Sequence, residues 1–138
     1  MVIEFTTLGE PSAQMRHKHF KRGTFSGTYD PSKDKKKDFL LNVQNNAPKE
    51  PITGPIMITV VFYFGRPKNH FRTGKNSLML RDDAPEWHIS RRDTDNCIKF
   101  LQDSLNGIFW KDDSQICWIE AQKKYSERPR THLIIQTL

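Results

Sequence analysis

The chain has 138 residues, 36% of them apolar and 28% charged, with a net charge of +6 from 22 lysines and arginines against 16 acids. That length predicts one domain, residues 1–138, with a single core, and the low apolar content implies a large functional surface or apolar surface hidden in a dimer. Two cysteines without paired spacing exclude a disulfide framework and a zinc finger, and the longest apolar run, Ile56 to Phe64, is far short of the ~20 residues of a membrane helix.

In chain order, Val2 to Leu8 alternates and is bounded by Gly9 and Pro11, which predicts a strand. The opening MVIEFTTLGEP lacks the pattern of a signal peptide, and the expectation is a cytoplasmic protein. Pro11 to Tyr29 has no clear period and reads as a basic loop or ribbon. Pro31 to Asn45 predicts a helix with Phe39, Leu40 and Val43 as its apolar stripe. Ile56 to Phe64 is β-branched and aromatic, as a buried strand should be. Gly65 to Ser90 is long, polar and irregular, and loops of that length in small domains are usually functional or disordered.

Asp95 to Asn106 predicts a second helix with Ile98, Leu101 and Leu105 on one face, stopped by Asn106-Gly107. Ile116 to Tyr125 and Thr131 to Thr137 read as two last strands. The sum is a small α+β domain: a mixed β-sheet with two main helices. Cys97 and Cys117 fall in apolar-patterned segments and are expected in the core, as are Trp87, Trp110 and Trp118.

The charge is concentrated. Arg16 to Lys37 holds eight basic residues (Arg16, Lys18, Lys21, Arg22, Lys33, Lys35, Lys36, Lys37) and two acids, which equals the net charge of the whole chain. Such a segment is the footprint of a polyphosphate binder or a plain solvated face. Phe20, Phe25 and Tyr29 are interleaved with it and serve either core packing or stacking on unpaired bases. A second basic set, including Lys68, lies in the long loop, and Arg91 and Arg92 flank the acids described next.

Asp93 and Asp95 open the second helix, Lys99 shares a helical face with Asp95, Asp103 follows a turn later, and Asp112-Asp113 precede a strand. A tight return would bring Asp112 and Asp113 back beside Asp93 and Asp95. Cutting a phosphodiester needs charge stabilisation on phosphate oxygens and a hydroxide near neutral pH, and hard divalent ions held by carboxylates supply both. The same aspartates also suit helix capping and ordinary turns. None of the five histidines has ligand spacing; His88 is near enough to the acids in sequence to approach a phosphate.

The run Asp93-x-Asp95-Asn96, Lys99, Asp103-x-Leu105-Asn106-Gly107 and Asp112-Asp113-x-Gln115-Ile116 resembles the signature of RusA-like endodeoxyribonucleases, which resolve Holliday junctions. Gly9 to Arg16 with Tyr29-Asp30-Pro31, Arg66-Pro67-Lys68, Ala84-Pro85-x-Trp87-His88 and Lys123-Lys124-Tyr125 extend the likeness over nearly the whole chain, the middle ones looking like phage-borne members. The resemblance implies that Asp93, Asp95 and Asp113 are catalytic ligands of Mg2+ (Mn2+ as substitute) and that Lys99 is the catalytic lysine. Asn96 and Asp112 match motif positions. It also implies a homodimer acting on branched DNA, since a four-way junction has approximate two-fold symmetry. Arg91-Arg92 stands where many members have Lys-Pro. Arg16, Lys18, Lys21, Arg22, Lys33, Lys68, Arg91 and Arg92 are then the expected DNA-facing cations. Two other readings remain open here: a non-catalytic basic DNA-binding protein of branched or single-stranded DNA, and a metal phosphohydrolase for small nucleotides.

Overall fold

The computed structural model describes residues 1–138. The strands are β1 (Val2–Leu8), β2 (Lys18–Arg22), β3 (Phe25–Tyr29), β4 (Ile56–Gly65), β5 (Ile116–Ser126) and β6 (Arg130–Thr137); the helices are α1 (Lys33–Val43) and α2 (Thr94–Leu105). Four strands form a mixed sheet in the order β1-β6-β4-β5. β6 runs antiparallel to both β1 and β4, while β4 and β5 are parallel. Parallel neighbours need a crossover, and α2 with the long loop before it provides one. β2 and β3 form a separate two-stranded hairpin. The expected small α+β domain with a mixed sheet and two helices is what the chain forms.

β4 is the central strand, and strict alternation buries Ile56, Ile58, Val60, Phe62 and Phe64 on one face. α2 covers that face with Cys97, Phe100, Leu101, Ser104 and Leu105, the spacing of a core-facing helical stripe. Leu101 and Leu105 sit where the sequence placed them, whereas Ile98 lies at the margin of the core. The buried Ser104 hydroxyl is satisfied by donating to the Phe100 carbonyl at 2.6 Å. Gly107, at φ 81°, adopts the left-handed turn that ends α2. The next residues fold under the helix, so Phe109 and Trp110 become fully buried. α1 lies against α2, with the Phe39 ring edge-on to Phe100 at 5.9 Å.

Three core expectations are corrected. Cys117 is exposed at the register shift between Ile116 and Trp118, and Trp118 is about half exposed (53%) because it pairs with Met57, on the sheet face opposite the buried Ile58. Trp87 is also half exposed and carries the Lys124 ammonium over its ring at 4.8 Å. The long loop is more ordered than its composition implied. An antiparallel bridge joins Phe71 to Leu80, and residues 86–88 hydrogen-bond the far end of β5 through His88 N to Lys123 O and Tyr125 N to Glu86 O. His88 is thereby buried and stacked on Phe64 at 3.9 Å, so it is a packing residue and does not face the acids. Burial, aided by the nearby Lys123 ammonium, holds its imidazole below the usual histidine range.

The fully buried Leu105 and the almost fully exposed Ile89 (92%) give a test of where the core is. Leu105→Ala should cost about 3 kcal/mol in chemical denaturation, and Ile89→Ala less than about 0.5 kcal/mol. Equal effects would place the core elsewhere.

Candidate active site at the start of the second helix

Asp93 occupies the N-cap position of α2, yet its side chain accepts no hydrogen bond from the helix. An aspartate there ordinarily caps; this one leaves its carboxylate oxygens uncommitted. Asp95 and Asn96 follow in the first turn and Lys99 one turn later. Lys99 forms no ion pair with Asp95 or Asp103, since the nearest partner of Asp103 is Lys36 at 3.1 Å. A shallow cleft is lined by Asp93, Asp95, Asn96 and Lys99 on one side and by Gln14, Arg16 and His17 on the other. The positive end of the helix dipole favours the two carboxylates here by a few tenths to about 1 kcal/mol.

Two devices hold this cleft. The first is Arg92, immediately before Asp93, whose backbone sits at φ 80°. A non-glycine residue in that region costs about 1–3 kcal/mol and persists only where its surroundings impose it. Its carbonyl accepts from Lys123 Nζ at 2.8 Å, and its guanidinium donates to Pro11 O at 2.8 Å and lies 3.7 Å from Glu10. Arg92 therefore spends its charge within the chain, while its neighbour Arg91 is exposed.

The second device is a carboxylate hub that sequence reasoning missed. Asp30 accepts from Gln14 Nε2 (2.8 Å), the Ser32 backbone N–H (2.9 Å) and Lys36 Nζ (2.7 Å). Lys36 reaches on to Asp103, so α1 is tied to α2. Ser32 Oγ in turn accepts from the Met15 N–H, and the Gln14 N–H donates to Asn96 O at 2.9 Å. These bonds pin residues 14 and 15 against the start of α2, which puts Arg16 and His17 across from the acids. Burial alone would raise the Asp30 carboxyl, but the bonds from Lys36, Ser32 and Gln14 outweigh it and hold it at about 2. The Asp30-Pro31-Ser32 order was the available signal, because an aspartate that accepts from the backbone two residues on is an Asx turn. Lys36, one of the basic residues of the stretch from Arg16 to Lys37, thus pairs with Asp30 and with Asp103, one of the acids along α2, and both Lys36 and Asp103 serve the fold.

The aspartate pair after α2 does not return to Asp93 and Asp95. Asp112 caps a single 3₁₀ turn at residues 113–115 in a full capping box with Ser114 and Gln115. Hydrogen bonds from Ser114 lower its pKa. Asp113 accepts from the buried Trp110 Nε1 at 2.8 Å. Both follow the C-terminal end of α2, a helix of twelve residues and roughly 18 Å, whose other end carries Asp93. Accordingly, no three carboxylate, histidine or cysteine side chains of one chain come within reach of a common metal ion. The return failed because the turn after α2 is used to bury Phe109 and Trp110 under the helix's own end.

Of the remaining predicted cations, only Arg16 lines the cleft itself. Lys18, Lys21 and Arg22 are exposed on the β2–β3 hairpin that rises from it, and Lys33 is exposed at the start of α1. Lys68 is exposed in the long loop. Asp82 and Asp83 pair with Arg72 and Arg81 and lie on the surface, away from the cleft.

The family model described as Endodeoxyribonuclease RusA matches residues 9–136. The chain belongs to the RusA endodeoxyribonuclease family. This RusA-family chain is 34% identical over 139 residues to the uncharacterized protein YqaN of Bacillus subtilis (strain 168), covering 97% of this chain and 95% of YqaN. It is 30% identical over 96 residues to a protein named crossover junction endodeoxyribonuclease rusA from Lactococcus phage r1t, covering 67% of this chain and 64% of the phage protein. No helix of the RusA-family chain is long and apolar enough to cross a membrane.

The hub makes a pH-dependent prediction. The folded-state pKa of Asp30 is depressed from 3.8 to about 2, so its contribution is present above pH ~4 and fades as pH falls through ~2. Asp30→Asn should destabilise the protein by about 2 kcal/mol at pH 7, with the gap to wild type closing between pH ~4 and ~2. Denaturant midpoints across that range measure it, and a gap independent of pH would mean that Asp30 acts through shape alone.

Proposed function

We propose that the chain is a structure-selective, divalent-metal-dependent endodeoxyribonuclease that resolves four-way DNA junctions by paired cuts. The observation that carries this is the cleft at the start of α2, where two uncommitted carboxylates and an unpaired lysine face a basic wall. A protein that only held DNA would gain nothing from Asp93 and Asp95 beside the phosphate path, where they repel it. The donor set suits magnesium, with manganese as a substitute: both side chains offer hard oxygen, and magnesium is commonly held by one or two carboxylates plus water and phosphate. A bound ion there would act as a Lewis acid on the phosphate and lower the pKa of an attacking water. Lys99 stabilises the charge that builds up on the phosphate. Arg16 on the opposite wall fixes the strand by its phosphate, and Asn96 supplies a neutral donor and acceptor between the two.

The distance to Asp113 argues for a homodimer. The outer edge of β5 carries no backbone hydrogen bonds from Ile116 to Gln122, and Trp118 and Ile119 are exposed along it. An open, apolar edge of this kind invites another strand. If β5 pairs with its own copy about a two-fold axis, the strands run antiparallel, and the start of one lies beside the end of the other. Asp113 of the partner subunit is then carried toward the end of β5 where Lys123 holds Arg92, next to Asp93 and Asp95. Each active site takes acids from both copies, and the two sites are related by a dyad like that of the junction.

A labelled synthetic junction and a linear duplex of the same sequence test both parts. Wild type should nick only the junction, symmetrically and only with divalent metal. Asp95→Asn and Asp113→Asn should each fold and bind the junction but cut at least 100-fold more slowly. Mixing the two inactive variants should restore nicking at one site, because a mixed dimer contains one site with all its acids. Cutting by Asp95→Asn at the wild-type rate would refute the active site; no recovery on mixing would refute its sharing between subunits.

A further inference from the structure

The β2–β3 hairpin has an aromatic face that the proposed chemistry does not use. Residues directly opposite in an antiparallel pair share a face, as do alternate residues along a strand. The register pairs Lys18 with Tyr29, Phe20 with Gly27 and Arg22 with Phe25. One face of the ribbon therefore carries Lys18, Phe20, Arg22, Phe25, Gly27 and Tyr29. The ring of Phe20 lies centrally, 5.8 Å from that of Phe25 and 6.4 Å from that of Tyr29. Its far end lies against Gly27, so closely that a Cβ there would come within 2.9 Å of its Cζ. Phe25 is 64% exposed and Tyr29 48% exposed.

Two exposed rings, packed against the partly buried Phe20 on a slender ribbon, are costly in water unless something covers them. Charge indicates what does. Lys18 and Arg22 stand on the same face, Lys21 is on the other, and no acid lies between Arg16 and Tyr29. Position narrows it further. β2 begins at Lys18, directly after Arg16 and His17, which wall the acidic cleft. The ribbon is five residues long, so its tip stands roughly 17 Å from that wall.

We propose that this face is a stacking platform for unpaired bases at the branch point, built next to the cleft so that an unstacked nucleotide is held within one ribbon length of the phosphate to be cut. This rests on the reading of the chain as a junction-cutting enzyme. Phe20 and Gly27 make the floor. Phe25 and Tyr29 are the contacts to bases, and Lys18 and Arg22 take the flanking phosphates. Stacking tolerates any base, so the platform reads the exposed bases of a branch and not a sequence.

The test is binding without cutting, in chelator, to a four-way junction with 2-aminopurine at the branch point and to a linear duplex with the same base internal. Wild type should change the fluorescence of the branch-point base and leave that of the duplex unchanged. Phe25→Ala with Tyr29→Ala leaves the Phe20 floor intact and should lower junction affinity about tenfold with duplex affinity unchanged. Phe25→Leu keeps apolar bulk but loses the ring, and should show part of the same loss. Junction binding by wild type with no fluorescence change overturns the platform and leaves the nuclease reading standing. Equal losses on junction and duplex overturn it too, as does a shift from dimer to monomer in sedimentation of the double variant, which would assign the face to a second copy. Failure of wild type to bind junction at all would take down both readings.

Discussion

Much of the molecule is arranged around one partly buried carboxylate. Asp30 closes its own turn through Ser32, holds Gln14, and anchors the lysine that joins α1 to α2. Charge-assisted bonds of this kind are short and strong, and three on one carboxyl outweigh the cost of burying it. The consequence reaches the surface. With Gln14 and Met15 fixed, the chain leaves them at a set place and angle, Arg16 and His17 form a wall, and the hairpin rises from that wall. The basic side of the cleft is thus positioned by an acid from the next element.

The other side of the cleft is positioned by strain. Arg92 is forced to positive φ by bonds from both ends of its residue, to Lys123 on β5 and to Pro11 after β1. This fixes the entry of α2 relative to two strands of the sheet. Asp93 then stands at the cap position without capping, which leaves helix N–H groups and two carboxylates facing the same space. A helix start that withholds its own cap gives up about 1 kcal/mol of stability. Here the forgone cap leaves carboxylate oxygens free at the positive end of a dipole.

The fold was largely legible because its period was clean. β4 alternates without error, and α2 has a stripe wide enough to survive the misassignment of Ile98 to its centre. Composition misled at the edges. Cys117 and Trp118 have core-like identities, but the register puts Trp118 on the sheet face opposite the core and Cys117 at the irregularity beside it. The long loop read as irregular, functional or disordered, because part of its order comes from main-chain bonds to β5, which leave no trace in side-chain pattern. At the site, helical spacing put Asp95 and Lys99 on one face with Asp93 at the helix start, while Asn96 entered only through the family resemblance. Asp30 and Gln14 could not, since they reach α2 only through the fold. Asp112-Asp113 was the instructive failure: proximity in sequence suggested a return, and the turn instead spends its residues on burying Trp110.

An acidic set split between the two ends of one helix is more than a missing contact. If Asp113 stood beside Asp93 and Asp95 in a single chain, a monomer would assemble a metal site wherever it met DNA, and its basic segment would carry it to any duplex, since phosphate contacts are blind to sequence. Under the proposed homodimer, dividing the acids would make activity depend on pairing. A chain that completes its site only with a second copy completes two sites at once, in a fixed relation set by the dyad. Duplex DNA offers one strand path to that pair of sites, whereas a four-way junction offers two related by the same symmetry. On this account the selectivity for branched DNA comes from geometry, while the basic segment supplies affinity for DNA of any shape. In the proposed dimer, the open edge of β5, an aggregation hazard in a monomer, would be the element that couples the two sites.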